Sequence, residues 1–335
     1  MSDIMTCMPF GQLMEWVLQE KSGKDTVFGV HRPYTVNADH NLTIFERTLE
    51  TPVGPAAGPH TQLAQNIIAS YYAGARFFEL KTVQKMDGAE LSACVNKPCI
   101  LADDEGYNCE WSTELTVPDA MSEYIKAWFI LHVMAKEFDL GAQDGFQFNI
   151  SVGYDLEGIK GDKVNTFIDG MMEAKDTAVF QECKKWLLDN ADRFHNFTRE
   201  DIEAIPSDVC NSATISTLHG CPPQEIESIA NYLLTEKHLN TFVKCNPTLL
   251  GYDFARKTMD EMGYDYMVFG DFHFRDDLQY EDAVPMLTRL MKLSEELGLE
   301  FGVKITNTFP VDVTRNELPS EEMYMSGKSL FPLSI

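Results

Sequence analysis

Lys81, Asn149, Lys244, Asn307 and Thr308 fall at the C-terminal ends of short segments, and Lys81, Asn149 and Lys244 lie on the polar side of an apolar–polar alternation. In FFELKTV, Phe78 and Leu80 share one face and Glu79 and Lys81 the other. In FNISV, Phe148 and Ile150 oppose Gln147, Asn149 and Ser151. In TFVKCN, Phe242, Lys244 and Asn246 share a face. Period-two alternation puts such residues on opposite sides of a strand. Two inward ammonium groups ringed by amide and hydroxyl side chains suit an anionic, planar, hydrogen-bonding ligand. A flavin fits this description, because its reduced ring needs positive charge at one edge and hydrogen bonds at the others. Cys221, in HGCPP ahead of a helical pattern, is placed for proton transfer opposite such a ring, since a helix N-terminus favours the thiolate. Each residue also has a plainer reading. One lysine at a strand end is commonly a solvated edge residue, and Cys221 by position alone is equally a small packed side chain. His219 and His273 lack ligand spacing and read as structural or solvent-facing.

The elements that must position these groups follow from the stretch 51–83. Gly54, Ala56, Ala57 and Gly58 form a turn with almost no side chains, which lets a ligand or another chain segment approach the backbone. His60 or Thr61 can cap a helix whose buried stripe is Leu63, Ala64, Ile67 and Tyr71. With a strand at Pro52-Val53 and another over 76–83, this is a βαβ unit whose inner face is polar at its end, as at the rim of a barrel. Comparable units follow. A helix starting at Pro118-Asp119 leads to a strand over 146–152. A strand over 213–218 passes through the Cys221 turn into a helix and then a strand over 241–246. A helix over 283–297 leads to a strand over 301–308. Tyr266 to Phe269 reads as an extra strand, and the charged, helical 162–205 as a layer outside the core. The expected fold is α/β, a TIM-type (β/α)8 barrel, with about six or seven strands in this chain. An N-terminal helical extension over 1–42, with Phe10, Leu13, Met14 and Val17 on one stripe, precedes a barrel over 43–335 whose last strands are expected to be missing.

Composition narrows the partners. The 335 residues carry a formal net charge of −25, which argues against nucleic acid, whose phosphates call for clustered Lys and Arg. The most apolar run, AWFILHVMA, is too short to span a membrane, and no signal peptide is evident, so a cytoplasmic protein is expected. The eight cysteines include no Cys-x-x-Cys pair. Cys94, Cys99 and Cys109 match no strong iron–sulfur spacing and read as free thiols, and no metal site is expected. The SGKS at 326–329 is not a Walker loop, because the upstream glycine and strand are absent.

PVGPAAG followed by FFELKTV resembles the first unit of the dihydroorotate and dihydropyrimidine dehydrogenase flavin barrels. NISV, FVKCNPT and ITNT resemble their later strands, and GCPPQEIESIANYL resembles the dihydropyrimidine dehydrogenase segment that carries its active-site cysteine. At closer range, residues 43–335 are similar to the N-terminal region of the selenate reductase subunit family of YgfK type. That family consists of long flavoproteins with further iron–sulfur and FAD/NADPH modules. The resemblance implies that Ala57, Gly58, Lys81, Thr82, Asn149, Lys244, Asn307 and Thr308 contact FMN. It implies that Cys221 is the acid/base, acting beside Lys81, and that Asn108 faces a small-molecule substrate. The implied activity is that of a flavin-dependent oxidoreductase domain passing electrons between a small substrate and partner redox modules. Two alternatives stand beside it: a Schiff-base enzyme using Lys81 or Lys244, and a degenerate, non-catalytic barrel that docks the redox modules of the parent protein.

Overall fold

A computed structural model describes residues 5–36, 41–90, 100–101, 106–108, 115–216, 219–318 and 321–334. Its main sheet is parallel, with five strands in the order β3 (Phe77–Glu79), β6 (Gln147–Gly153), β7 (Cys210–Ser216), β8 (Asn240–Cys245) and β9 (Phe301–Ile305). The register sets Glu79 beside Asn149, Thr214 beside Phe242, and Lys244 beside Lys304. The sheet curls into a partial barrel, so its polar residues point into a lumen and its apolar residues point out to the helices. Pro52-Val53 does not form a ladder strand, but the chain there still runs alongside β3. Val53 O accepts from Arg76 N at 2.8 Å, and Pro55 O accepts from Glu79 N at 3.2 Å. The prolines at 52 and 55 remove the amide donors a regular ladder needs.

The helices include α1 (Phe10–Lys24), α2 (Ala64–Tyr72), α3 (Val117–Glu137), α4 (Asp162–Met172), α5 (Ala178–Asp189), α6 (Pro223–Thr235), α7 (Tyr252–Glu261) and α8 (Tyr280–Leu297). All of these but α7, which packs with a second sheet, cover the outer face of this sheet. In α3, Thr116 caps the first turn, its hydroxyl accepting from Asp119 N, and Trp128 packs edge-on against Phe146 at 5.2 Å and Phe148 at 5.3 Å. In α1, Phe10, Leu13, Met14 and Val17 are the buried residues and join the main core. The region 162–205 is not an outer layer: Phe167, Ile168, Met171, Phe180 and Leu187 are buried in that same core. Its surface charge hides the stripes through which its helices pack inward.

Two further pieces shape the ends of the lumen. The hairpin of β1 (Leu42–Ile44) and β2 (Arg47–Leu49) turns through Phe45 and Glu46, with φ of 53° and 61°, a two-residue turn of the type that matches strand twist. It inserts Phe45 against Phe242, ring centroids 4.7 Å apart, and Phe77 lies against Phe242 from β3, so aromatic rings fill one end. A second, antiparallel sheet of β4 (Ile100–Leu101), β5 (Tyr107–Asn108), β10 (Phe309–Asp312) and β11 (Glu322–Met325) has its own small core with Phe269, Phe274 and Met259. Tyr266 to Phe269 is not a strand of the parallel sheet. It meets this second sheet through a bond from Asp312 N to Val268 O, at 2.8 Å.

Candidate active site in the lumen

The lumen is polar where barrels of this kind are usually filled by branched apolar side chains. From β6 come Gln147, Asn149 and Ser151, and from β7 come Ser212 and Thr214, all buried. Asn149 Nδ2 donates to Thr214 Oγ1 at 2.7 Å, and among the described residues no donor meets Asn149 Oδ1. Gln147 Oε1 and Glu79 Oε1 are in the same state.

The Gly-rich turn reaches this lumen from above. Gly54 must lack a side chain, because a Cβ there would lie 1.4 Å from Phe77 O. The close approach brings Ala57 N to 2.9 Å from Glu79 Oε2. Thr61, not His60, closes the turn: its hydroxyl donates to Gly58 O at 3.0 Å and accepts from Gly58 N at 3.2 Å. Glu79 is almost wholly buried and also pairs directly with Lys304 Nζ. Burial pushes the Glu79 carboxyl up, but Lys304 and then Lys244 outweigh it, and the group stays below the ordinary carboxylate range. Lys81, buried one residue pair above Glu79, completes the set, and Tyr124 OH holds its carbonyl at 2.9 Å. His60 stands over the same group of charges. Partial desolvation first, and then the fields of Lys81 and Lys304, lower its imidazole below the usual value.

The expected residues therefore converge in part. Lys81, Asn149 and Lys244 share the lumen with Glu79, and Ala57 and Gly58 border it. Thr82 is turned onto Ser151, hydroxyl to hydroxyl at 2.7 Å. Asn307 continues the β8–β9 pairing through its amide to Cys245 O at 2.9 Å, and its side chain donates to Asn246 Oδ1 at 2.9 Å. Thr308 O accepts from His219 Nε2 at 3.2 Å. Cys221 is half-buried, in the turn two residues after His219. That turn is organised by Asp277, a wholly buried carboxylate. Asp277 meets His219 Nδ1 at 2.7 Å, Gly220 N at 2.5 Å and Thr248 Oγ1 at 2.7 Å. Burial raises Asp277, and the His219 and Thr248 contacts more than reverse this, so its carboxyl lies below its usual value. His219 is thus engaged at both ring nitrogens, while His273 faces Glu322 at 3.1 Å. Asn108 sits in the second sheet, where its Nδ2 donates to Tyr324 O at 3.2 Å. Cys94, Cys99 and Cys109 lie outside the described residues.

Sequence reasoning misses Lys304 and Asp277, and offers His60 only as a candidate helix cap. Lys304 was within reach, since FGVKI alternates as TFVKC does and places Gly302 and Lys304 inward. Asp277 carries no such signal, because it lies in an irregular segment and is joined to His219 only by the tertiary fold.

Comparison with known proteins agrees with this architecture. Two curated Escherichia coli proteins, of strains K12 and O157:H7, are provisionally named oxidoreductase YgfK. Each is 46% identical over 349 residues, an alignment that takes in 100% of this chain and 33% of the relative. The chain thus spans about a third of the length of these relatives. Among solved structures, a ligand-free DHODH from Eimeria tenella aligns with a TM-score of 0.39 and 12% identity, over 88% of this chain and 81% of that one. The same organism's DHODH with ferulenol gives 0.38 and 12%, over 90% and 81%. The family described as the N-terminal TIM-barrel domain of oxidoreductase YgfK matches residues 28–335, and the chain belongs to it.

Proposed function

We propose that the lumen binds the isoalloxazine ring of FMN and that the chain is the flavin module of a larger cytoplasmic oxidoreductase. The observation that carries this reading is the gathering of Lys244 and Lys304 around the buried Glu79 carboxylate, with Lys81 and Lys304 acting on His60 beside it, next to a buried Asn149 Oδ1 that no donor among the described residues meets. In a chain of net charge −25, a buried cationic lumen is a specific attractor for an anionic ring. The residues fit the group: Lys81 and Lys244 supply positive charge, Asn149 Oδ1 accepts from a ring N–H, and the bare turn at Ala57 and Gly58 admits a flat ligand. When bound, FMN would supply hydride and electron transfer to and from a small substrate. The protein's own part is to hold the ring, limit water through the capped aromatic end, and present Cys221 on the rim as the group that exchanges a proton with substrate. Electrons would pass on to further redox modules, iron–sulfur and FAD/NADPH in kind, in the longer polypeptide.

Binding of the bare ring tests this without requiring a phosphate site. Lumiflavin titrated into the chain should lose fluorescence saturably, and Lys244→Met should weaken that binding roughly tenfold, the loss of one charged contact. If neither lumiflavin nor FMN is quenched by the unaltered chain, the reading is wrong.

A further inference from the structure

The curvature of the sheet shows that the barrel is laid out for more strands than these residues supply. Glu79 on β3 and Lys304 on β9 lie at opposite ends of a five-stranded sheet, yet their side chains meet. An eight-stranded barrel has an interior just wide enough for side chains from facing walls to fill it. Counting the Val53–Pro55 segment that runs beside β3, six of eight positions are taken, and Glu79 and Lys304 are then four positions apart, on facing walls. Among the described residues, two positions remain open between β9 and Val53. Both rims of that opening are apolar and uncovered: Val53 is 61% exposed, Ile305 60% and Val303 39%. Strands of a parallel sheet are ordinarily covered on both faces, and an open edge leaves its amides and carbonyls unpaired. Helix α8, which packs beside β9, adds Tyr280, Val284 and Met291, exposed at a spacing of four and seven residues along one stripe.

We propose that this opening is an intramolecular docking site, closed by two further strand–helix units from the polypeptide that makes up the other two-thirds of the longer relatives. Their strands extend the sheet in parallel from β9 to the Val53 rim, and a helix covers Ile305 and the α8 stripe. A second copy of this chain fits less well. Across a two-fold axis its β9 would arrive antiparallel, and Val53 would stay uncovered. The proposal stands apart from the flavin reading, because it concerns the outer wall and not the lumen.

Hydrogen exchange by mass spectrometry, with sedimentation velocity on the same samples, tests it. In the chain alone, a monomer, amides of 301–305 should exchange roughly a hundredfold faster than those of the central strand 212–215. In the full-length Escherichia coli relative, the segment aligned with 301–305 should be as protected as its central strand. Ile305→Lys should leave the melting of the isolated chain unchanged, and the corresponding substitution should lower that of the full-length protein. Slow exchange of 301–305 in the monomeric chain would show that its own residues close the gap. Slow exchange in a dimer would assign the site to a second copy. Fast exchange in both proteins would leave the barrel open. Each of these three results overturns the proposal.

Discussion

Replacing Lys304 by Met tests whether the lumen is held together by charge. Glu79 is about 5% exposed and Lys304 about 21%, so the pair is largely out of water. Removing one partner of a buried pair strands the other charge and costs about 3–5 kcal/mol. The partly exposed ammonium and the remaining contacts of Glu79, with Lys244 and Ala57 N, put this case near 3 kcal/mol. Unfolding entropy is about 2.1 cal/mol/K per residue, or about 0.7 kcal/mol/K for a 335-residue chain, so the melting temperature should fall by about 4 °C. Glu79→Gln should recover much of that loss in the double variant, because the unpaired charge is then gone. The pH dependence has a definite sign. A carboxyl held below its ordinary 4.5 in the fold contributes stability above that value, and the contribution is lost as pH falls through its folded value. Without Lys304 the folded value rises, so the deficit of the variant should be full at pH 7 and shrink as pH falls through that raised folded value. Thermal melts of the four proteins at pH 7 and pH 4 would decide it. A Lys304→Met melt within about 1 °C of the parent at pH 7, or no recovery from Glu79→Gln, refutes the charge clasp.

Two other sites give independent predictions. Arg76 is about 1% exposed and binds Glu50 Oε2 at 2.8 Å and the carbonyls of Tyr71, Ala75 and Leu140. Arg76→Met should therefore cost about 3–5 kcal/mol, seen as a melt lowered by about 4–7 °C, and Glu50→Gln should restore part of it. Asp277→Asn removes the anion that gathers His219, Gly220 and Thr248. Iodoacetamide labelling of Cys221, followed by peptide mass spectrometry, should then speed up severalfold at neutral pH. That difference should narrow as pH falls through the depressed Asp277 value, where the parent carboxyl is itself protonated.

The parts of this fold that could be read in advance are those governed by one periodicity. Alternation in FFELKTV, FNISV and TFVKC placed Glu79, Lys81, Asn149 and Lys244 inward, because a pleated strand leaves no other arrangement. The stripe of α1 was equally plain. What escaped was set by contacts distant in sequence. The charged surface of 162–205 concealed helices that bury Phe167, Phe180 and Leu187. Tyr266 to Phe269 has a strand's composition, but among the described residues its backbone meets the second sheet at one bond. Val53 was expected in a regular strand, and the prolines on either side reduced that strand to bonds accepted by carbonyls. The pairing of Glu79 with Lys304 spans 225 residues, and only the curvature of the sheet brings the two together.

The polar lumen itself points to a ligand. A buried acceptor left without a donor costs about 1–3 kcal/mol, and Glu79 Oε1, Gln147 Oε1 and Asn149 Oδ1 all face the same interior. Apolar residues at these positions would remove that cost and pack the barrel as its outer face is packed. Asn149 is the most telling of the three. Its side-chain amide meets the Thr214 hydroxyl at 2.7 Å, and because a hydroxyl can accept from Nδ2 or donate to Oδ1, either orientation leaves one polar end of the amide to the lumen. A buried amide end in register with a carboxylate that lysines keep ionised is what the proposed ligand would have to satisfy from inside the lumen.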